Sequence, residues 1–335
     1  MRILFRVDAG SDVGLGHLQR CLSLAAALEQ RGADTTFLVA GDGVDRAREL
    51  GASAHRLVAT AGSDADAGET LRHAPDSSAI VVDSYAADAA YLARLSASGV
   101  PVVAIDDLAQ HAFPCALVVN GGAHAQELGY AGTQARLLLG PRYALLRREF
   151  AALVPPARHE RRVLVTMGGS DPAGLTAAVI ECAGALPPGA ELSVVVGPLA
   201  DRAAVERATR DAVRPVQLVH APTEVATLMA SATVAVSAGG QTLYELVAVG
   251  TPTVAVQTAA NQAGNLSALE SAGAIVVERT VPDVLVEAAR LLGDADARDR
   301  LTLAGKSLVD GRGADRVAAS VIELCATEGA IVCNA

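Results

Sequence analysis

Short runs of Val, Ile and Leu recur along this chain, separated by longer stretches with helical spacing of apolar residues. The rhythm predicts strands near 2–8, 34–40, 79–83, 101–105 and 116–119. A second series follows near 162–167, 192–196, 216–219, 233–237, 252–257 and 274–277. The runs are rich in Val, Ile and Leu, as expected of parallel strands covered by helices on both faces. Segment 59–70, rich in Ala, Gly and Asp, reads as a loop. After Pro282 the pattern is wholly helical, over 283–292, 295–308 and 313–327.

The character of the chain changes around Leu153-Val154-Pro155-Pro156-Ala157-Arg158, where two prolines precede a charged cluster. This is the composition of an interdomain linker. The expected organisation is a first domain over 1–152, a linker over 153–160 and a second domain over 161–312. A last helix over 313–335 packs back on the first domain. At 335 residues the chain is long enough for two such domains. Two doubly wound α/β domains facing one another across a cleft would bind ligands outside the carboxyl ends of their strands.

Composition narrows the partners. Net charge is −10, and no run of Lys or Arg could neutralise a phosphate backbone, so nucleic acid is not an expected partner. The first strand carries Arg2, Arg6 and Asp8, unlike a secretory leader. Apolar stretches are broken by Gly, Pro or charge before membrane-spanning length, so no membrane insertion is expected. Cys21, Cys115, Cys182, Cys325 and Cys333 form no C-x-x-C pair. Reduced thiols in a cytoplasmic protein fit this usage better than disulfides or zinc.

Three glycine turns follow expected strands: Gly14-Leu15-Gly16-His17, Gly168-Gly169-Ser170-Asp171 and Gly239-Gly240-Gln241-Thr242. Such a turn gathers backbone N–H groups at the positive end of a helix, where phosphate binds. Steric need for Gly in tight connections would explain any single one. Three at strand ends favour phosphate or nucleotide contact. The first is not a dinucleotide fingerprint, because position 19 is Gln and Asp42 lies too far on to be the ribose ligand. A nicotinamide dehydrogenase is therefore disfavoured.

His17 adds a proton carrier to the first turn. Local packing would account for a lone histidine, but its place between a glycine turn and a cleft favours catalysis. The helix N-terminus would keep its ring neutral, and a carboxylate from Asp8, Asp106 or Asp107 would oppose that. Those aspartates serve equally well as caps. Arg20, one turn beyond His17, would meet either a phosphate or a strand-end Asp. Thr242-x-x-Glu245 fits a capping box, and it equally fits a carboxylate placed for ribose hydroxyls. Asn261 and Gln262 would read a sugar or base edge, or cap their own helix.

Together these residues resemble the nucleotide-sugar hydrolases of pseudaminic acid synthesis and their spore-coat-polysaccharide relatives. The resemblance runs through Arg6-x-Asp8, Gly14-x-Gly16-His17-x-x-Arg20, Val82-Asp83-Ser84-Tyr85 and Ile105-Asp106-Asp107. It continues in Gly140-Pro141-Arg142-Tyr143-Ala144-Leu145-Leu146-Arg147-x-Glu149-Phe150 and Met167-Gly168-Gly169-Ser170-Asp171. It closes with Ser237-Ala238-Gly239-Gly240-x-Thr242-x-x-Glu245 and Asn261-Gln262. Some members carry His where this chain has Ser84.

The resemblance implies a GT-B architecture of two Rossmann-like domains and a UDP-sugar substrate. UDP would be held by Gly168, Gly169, Ser170, Gly239, Gly240, Thr242, Glu245 and Gln262. Gly14, Gly16, Arg20, Asp8 and Asn261 would lie near sugar or phosphate, and His17 and Tyr85 at the chemistry. His17 would activate water to displace UDP with inversion, without cofactor or metal. The implied substrate is UDP-2,4-diacetamido-2,4,6-trideoxy-β-L-altrose or a related amino-deoxy sugar. A GT-B glycosyltransferase and a non-catalytic nucleotide-sugar-binding protein are the alternatives.

Overall fold

The computed structural model describes the chain apart from residues 9–15, 41–43, 45–47, 49–55, 61–65, 155, 221, 223 and 333–335. The chain divides into two compact units, Met1–Arg148 with Arg312–Ala335, and Glu149–Gly311.

Among the described residues, the first unit holds seven strands: β1 Arg2–Val7, β2 Asp34–Ala40, β3 Arg56–Thr60, β4 Ala79–Asp83, β5 Val102–Ile105, β6 Leu117–Asn120 and β7 Arg136–Leu139. All pair in parallel, in the order β3-β2-β1-β4-β5-β6-β7. The strand order reverses between β1 and β4, the switch point where doubly wound sheets leave a crevice. Alternate residues of the central strands enter two cores, which is why these strands read as largely apolar runs. Ile3, Phe5 and Val7 pack with Leu18, Leu24, Leu28 and Phe37, and the Phe5 and Phe37 rings stack at 4.7 Å. Leu4, Ile80 and Val82 face the other way, against Leu92, Leu95 and Phe113. Each such side chain contributes about 1.5–3 kcal/mol when fully buried.

The helix Gly313–Val332 closes the first core, where Ala314, Val317, Ala318 and Val321 are buried beside helix Gly16–Glu29. The last helix thus belongs to the unit that contains the amino terminus.

The second unit repeats the plan with β8 Arg162–Thr166, β9 Glu191–Val196, β10 Val216–His220, β11 Val234–Ala238, β12 Thr253–Val256 and β13 Val276–Glu278. Its parallel order is β10-β9-β8-β11-β12-β13, with the switch point between β8 and β11. Val163, Val165, Val194, Val236 and Val254 form its centre with Ile180, Leu285 and Leu291.

Three elements depart from the sequence expectation. β3 and β7 join the sheet as edge strands, and Asp66–His73 is a helix where a loop is expected. β7 is only four residues long and half of it is exposed, although Leu137, Leu138 and Leu139 form an apolar run. The Asp66 helix is weak by propensity, being short and carrying Asp66 and Gly68 in its first turn. Its first residue is buried in an ion pair with Arg6 of β1, a partner sixty residues away in sequence. Among the described residues Cys21, Cys115, Cys182 and Cys325 form no disulfide with one another, and Cys333 lies outside the described residues. Among the described residues no helix is long and apolar enough to cross a membrane.

Candidate active site

The first unit gathers charged side chains at the carboxyl ends of β1, β4 and β5. Helix Gly16–Glu29 begins beside β1, so His17 sits in its first turn and Arg20 one turn further along the same face. Asp83 is the last residue of β4 and is fully buried. His17 Nδ1 lies 2.5 Å from Asp83 Oδ1. Arg20 donates from Nε to Asp83 Oδ2 and from Nη2 to Asp83 Oδ1, both at 2.7 Å. Its Nη1 donates to Asp107 Oδ1, also at 2.7 Å.

Burial by itself pushes the Asp83 carboxyl up, but Arg20 and then His17 overcome this and hold it well below the usual carboxylate range. Asp107 is lowered in the same way, by Arg20 against the cost of burial. Burial disfavours the Arg20 guanidinium, and the two carboxylates more than offset that. An ionised Asp83 can only accept hydrogen bonds. A hydrogen bond between Asp83 and His17 therefore needs the proton on His17 Nδ1, beside which Arg20 Nη2 also lies at 3.2 Å. Cys21 also turns its Sγ to Asp83 at 3.4 Å, and burial next to that carboxylate pushes its thiol well up, out of reach of thiolate chemistry.

Tyr85 follows β4 and is half exposed. Its ring stands edge-on to His17, with centroids 4.6 Å apart and planes at 88°. Its hydroxyl donates to Asp107 Oδ2 at 2.9 Å. Asp8 pairs with Arg6 at 2.8 Å and accepts from Ser84 Oγ at 2.5 Å. Beyond Tyr85, a pocket has Ser84, Asp106, Gln110 and His111 among its polar lining and Leu92 and Phe113 among its apolar lining. Asp106 fixes one wall by accepting from the amides of Leu108 and Ala109 and from the Tyr130 hydroxyl.

His17, Arg20, Tyr85 and Asp8 are thus neighbours at one end of the sheet. Gly16 starts the helix, and a Cβ there would meet nothing within 4 Å, so packing does not demand a glycine. Gly14 and Asp42 lie outside the described residues. Of the two fates weighed for Arg20, the ion pair with a strand-end aspartate is the one observed. The partner of His17 is Asp83, which was not among the three carboxylates expected for it. The signal was available: Asp83 ends the strand that must lie beside β1 at the switch point, one residue before Ser84-Tyr85.

In the second unit both glycine turns stand at the switch point between β8 and β11. Gly168 follows β8 with φ +85°, a conformation that favours glycine. A Cβ on it would be 3.7 Å from Thr242 Oγ1. Gly197 packs so closely on this turn that a Cβ would overlap the carbonyls of Gly168 and Gly169. Ser170 is half-buried, and Asp171 caps the next helix by accepting from Leu175 and Thr176 amides at 2.9 Å.

The capping-box reading of Thr242 and Glu245 is not realised. Helix Gln241–Val249 has Gly240 as its N-cap, with no side-chain cap, and Thr242 lies inside the helix. Glu245 is buried one turn on. Gln262 uses its amide oxygen locally, accepting from Thr258 N at 2.8 Å and Thr258 Oγ1 at 3.1 Å, next to Gly239. Asn261 is exposed beside it. Among the described residues no group of three or more His, Cys, Asp or Glu is arranged to hold a metal ion.

No protein-family model matches this chain. The spore coat polysaccharide biosynthesis protein SpsG of Bacillus subtilis (strain 168) is 27% identical over 209 residues, covering 58% of this chain and 60% of the relative. The chain therefore matches less than two thirds of that protein's length. Among solved structures, the spinosyn rhamnosyltransferase SpnG has a TM-score of 0.67 at 18% identity, covering 97% of this chain and 99% of its own. LpCGTa in complex with UDP has a TM-score of 0.63 at 14% identity, covering 96% and 99%. The chain is similar to SpsG over that stretch, and its fold is GT-B, as the sequence resemblance implies.

Proposed function

We propose that this chain is a nucleotide-sugar enzyme that moves a sugar from UDP to an oxygen nucleophile deprotonated by His17. The observation that carries the proposal is the His17–Asp83 contact. It fixes Nδ1 as the donor and leaves Nε2 as a base at the switch point of the first sheet. The base takes the proton of an O–H group, and the oxygen's electron pair forms the new bond to the anomeric carbon. The bond from that carbon to the diphosphate oxygen breaks, and its electron pair leaves with UDP. Gly168, Gly169, Ser170, Gly239, Gly240 and Thr242 would hold the diphosphate through backbone amides, which stabilise the developing negative charge. Glu245 would meet the ribose hydroxyls. Asn261 and the amide nitrogen of Gln262 would complete the nucleotide side.

Two nucleophiles fit this chemistry. A hydroxyl of an acceptor gives a glycosyltransferase, favoured by the relationship to a polysaccharide biosynthesis protein and the shared fold of a rhamnosyltransferase. Water gives a hydrolase, favoured by the sequence resemblance, with an amino-deoxy sugar such as the diacetamido-altrose as substrate. In either case Tyr85 and the pocket beyond it would face the sugar or the acceptor.

NMR of the protein with a panel of UDP-sugars, first without and then with candidate acceptor glycans, tests the proposal. Release of UDP only when an acceptor is present identifies the transferase. Release of UDP and inverted free sugar without acceptor identifies the hydrolase. Turnover no faster than in buffer under all conditions would reject both and leave a binding protein.

A further inference from the structure

We propose that Asp107 is a positioning residue for His17, acting on the imidazole by two routes at once. By the first route, Asp107 Oδ1 accepts from Arg20 Nη1 at 2.7 Å, and Arg20 grips both oxygens of Asp83, which in turn holds His17 Nδ1. By the second, Asp107 Oδ2 accepts from the Tyr85 hydroxyl at 2.9 Å, and the Tyr85 ring stands against the His17 ring. The two routes close a ring of five side chains: His17, Asp83, Arg20, Asp107 and Tyr85.

The closure has a mechanical consequence. A guanidinium is planar, with its donors in a fixed fork, so its tilt is set by the groups at its two edges. Asp107 sets one edge, and hence how squarely the other edge meets Asp83. Tyr85 is 49% exposed, so packing alone does not fix its ring. Its hydroxyl bond to Asp107 helps to hold the ring, which stands edge-on to the imidazole and limits how far it can swing. Both carboxylates stay ionised around Arg20, which preserves the clamp at neutral pH. This inference rests on the reading of His17 as the base.

The test uses the full chain labelled with ¹⁵N-histidine. The His17 Nδ1 proton, in a short bond to a carboxylate, gives a far-downfield NMR signal that reports imidazole placement without substrate. Asp107→Asn and Tyr85→Phe should each shift or broaden that signal. Each should lower kcat for UDP release by about 10- to 100-fold with little change in KM. The double variant should be no worse than the poorer single one, because both changes open the same ring. Tyr85→Phe leaves no buried charge unpaired, so it serves if Asp107→Asn fails to fold.

The proposal is overturned if Tyr85→Phe leaves signal and kcat unchanged, or if the two effects multiply. It is also overturned if the signal moves while kcat does not. His17→Ala, measured alongside, identifies which idea has failed. An inactive His17→Ala with unresponsive Asp107 and Tyr85 variants removes the positioning role alone, whereas an active His17→Ala removes the base itself.

Discussion

His17 Nδ1 lies 2.5 Å from Asp83 Oδ1, and that carboxylate is bound across both oxygens by Arg20. A carboxylate held ionised by a guanidinium has nothing to donate, so a hydrogen bond within the pair comes from His17 Nδ1. Under the proposed function, this contact turns Nε2 away from the carboxylate and leaves it as the base.

Replacing Asp83 with Asn should disrupt that arrangement. An amide can present its N–H₂ to the ring and favour the wrong tautomer. We expect kcat to fall by about 10²–10⁴-fold, the range of general base catalysis. UDP affinity, measured by calorimetry, should stay unchanged, since the proposed diphosphate turns lie in the other unit. Truncation to Ala should in addition destabilise the fold by about 3–5 kcal/mol in urea titrations, because Arg20 loses a buried partner.

The depressed carboxylates also predict how stability depends on pH. Asp83 and Asp107 titrate below the ordinary carboxylate value of about 3.9 when folded and near it when unfolded. As pH falls through that value the unfolded chain takes up protons that the folded chain refuses, so acid favours unfolding. The stabilisation should be complete above about pH 5 and decline progressively below about pH 4. Urea midpoints followed by circular dichroism from pH 6 down to pH 3 should show this fall, and Asp83→Asn should flatten it.

Gly168→Ala should separate nucleotide binding from chemistry. The φ of +85° costs an L-residue about 1–2 kcal/mol. The turn would have to relax against Gly197 and Thr242. We expect weaker UDP binding by calorimetry, roughly 5- to 30-fold if the whole cost falls on the bound conformation. The His17 Nδ1 proton signal should be unaffected.

Ending the chain before Gly313 should disrupt the first unit, despite leaving both sheets intact in sequence. Val317 and Val321 are fully buried in the core that contains Phe5 and Leu24. Their burial contributes about 1.5–3 kcal/mol each. Loss of soluble protein, or a lowered melting temperature, is the expected result. A truncated chain as stable as the full one would contradict this account.

Most of the fold is legible along the chain. The central strands β1, β4, β8 and β11 are buried on both faces, so most of their positions are apolar, and each shows this without help from its neighbours. The buried polar residues Arg6, Asp83, Thr166 and Ser237 gather near their carboxyl ends. Edge strand β7 and the Asp66 helix carry no such obligation. Their structure comes from pairing with β6 and from the Arg6 ion pair, which no local pattern records. The site divides in the same way. Glycine turns and a histidine at a helix start announce themselves, because backbone conformation and proton chemistry restrict those positions to few residue types.

The sequence by itself determined two parallel α/β units and marked three glycine turns, with a candidate proton carrier in the first of them. Only the tertiary structure decided what that carrier is joined to. Asp83 is sixty-six residues from His17 and becomes its partner because the strand order reverses between β1 and β4. Asp107 comes from the next strand over, and Arg20 binds both aspartates at once. Side-chain type can be read from one position at a time. Which oxygen meets which nitrogen depends on the order in which distant strands lie side by side.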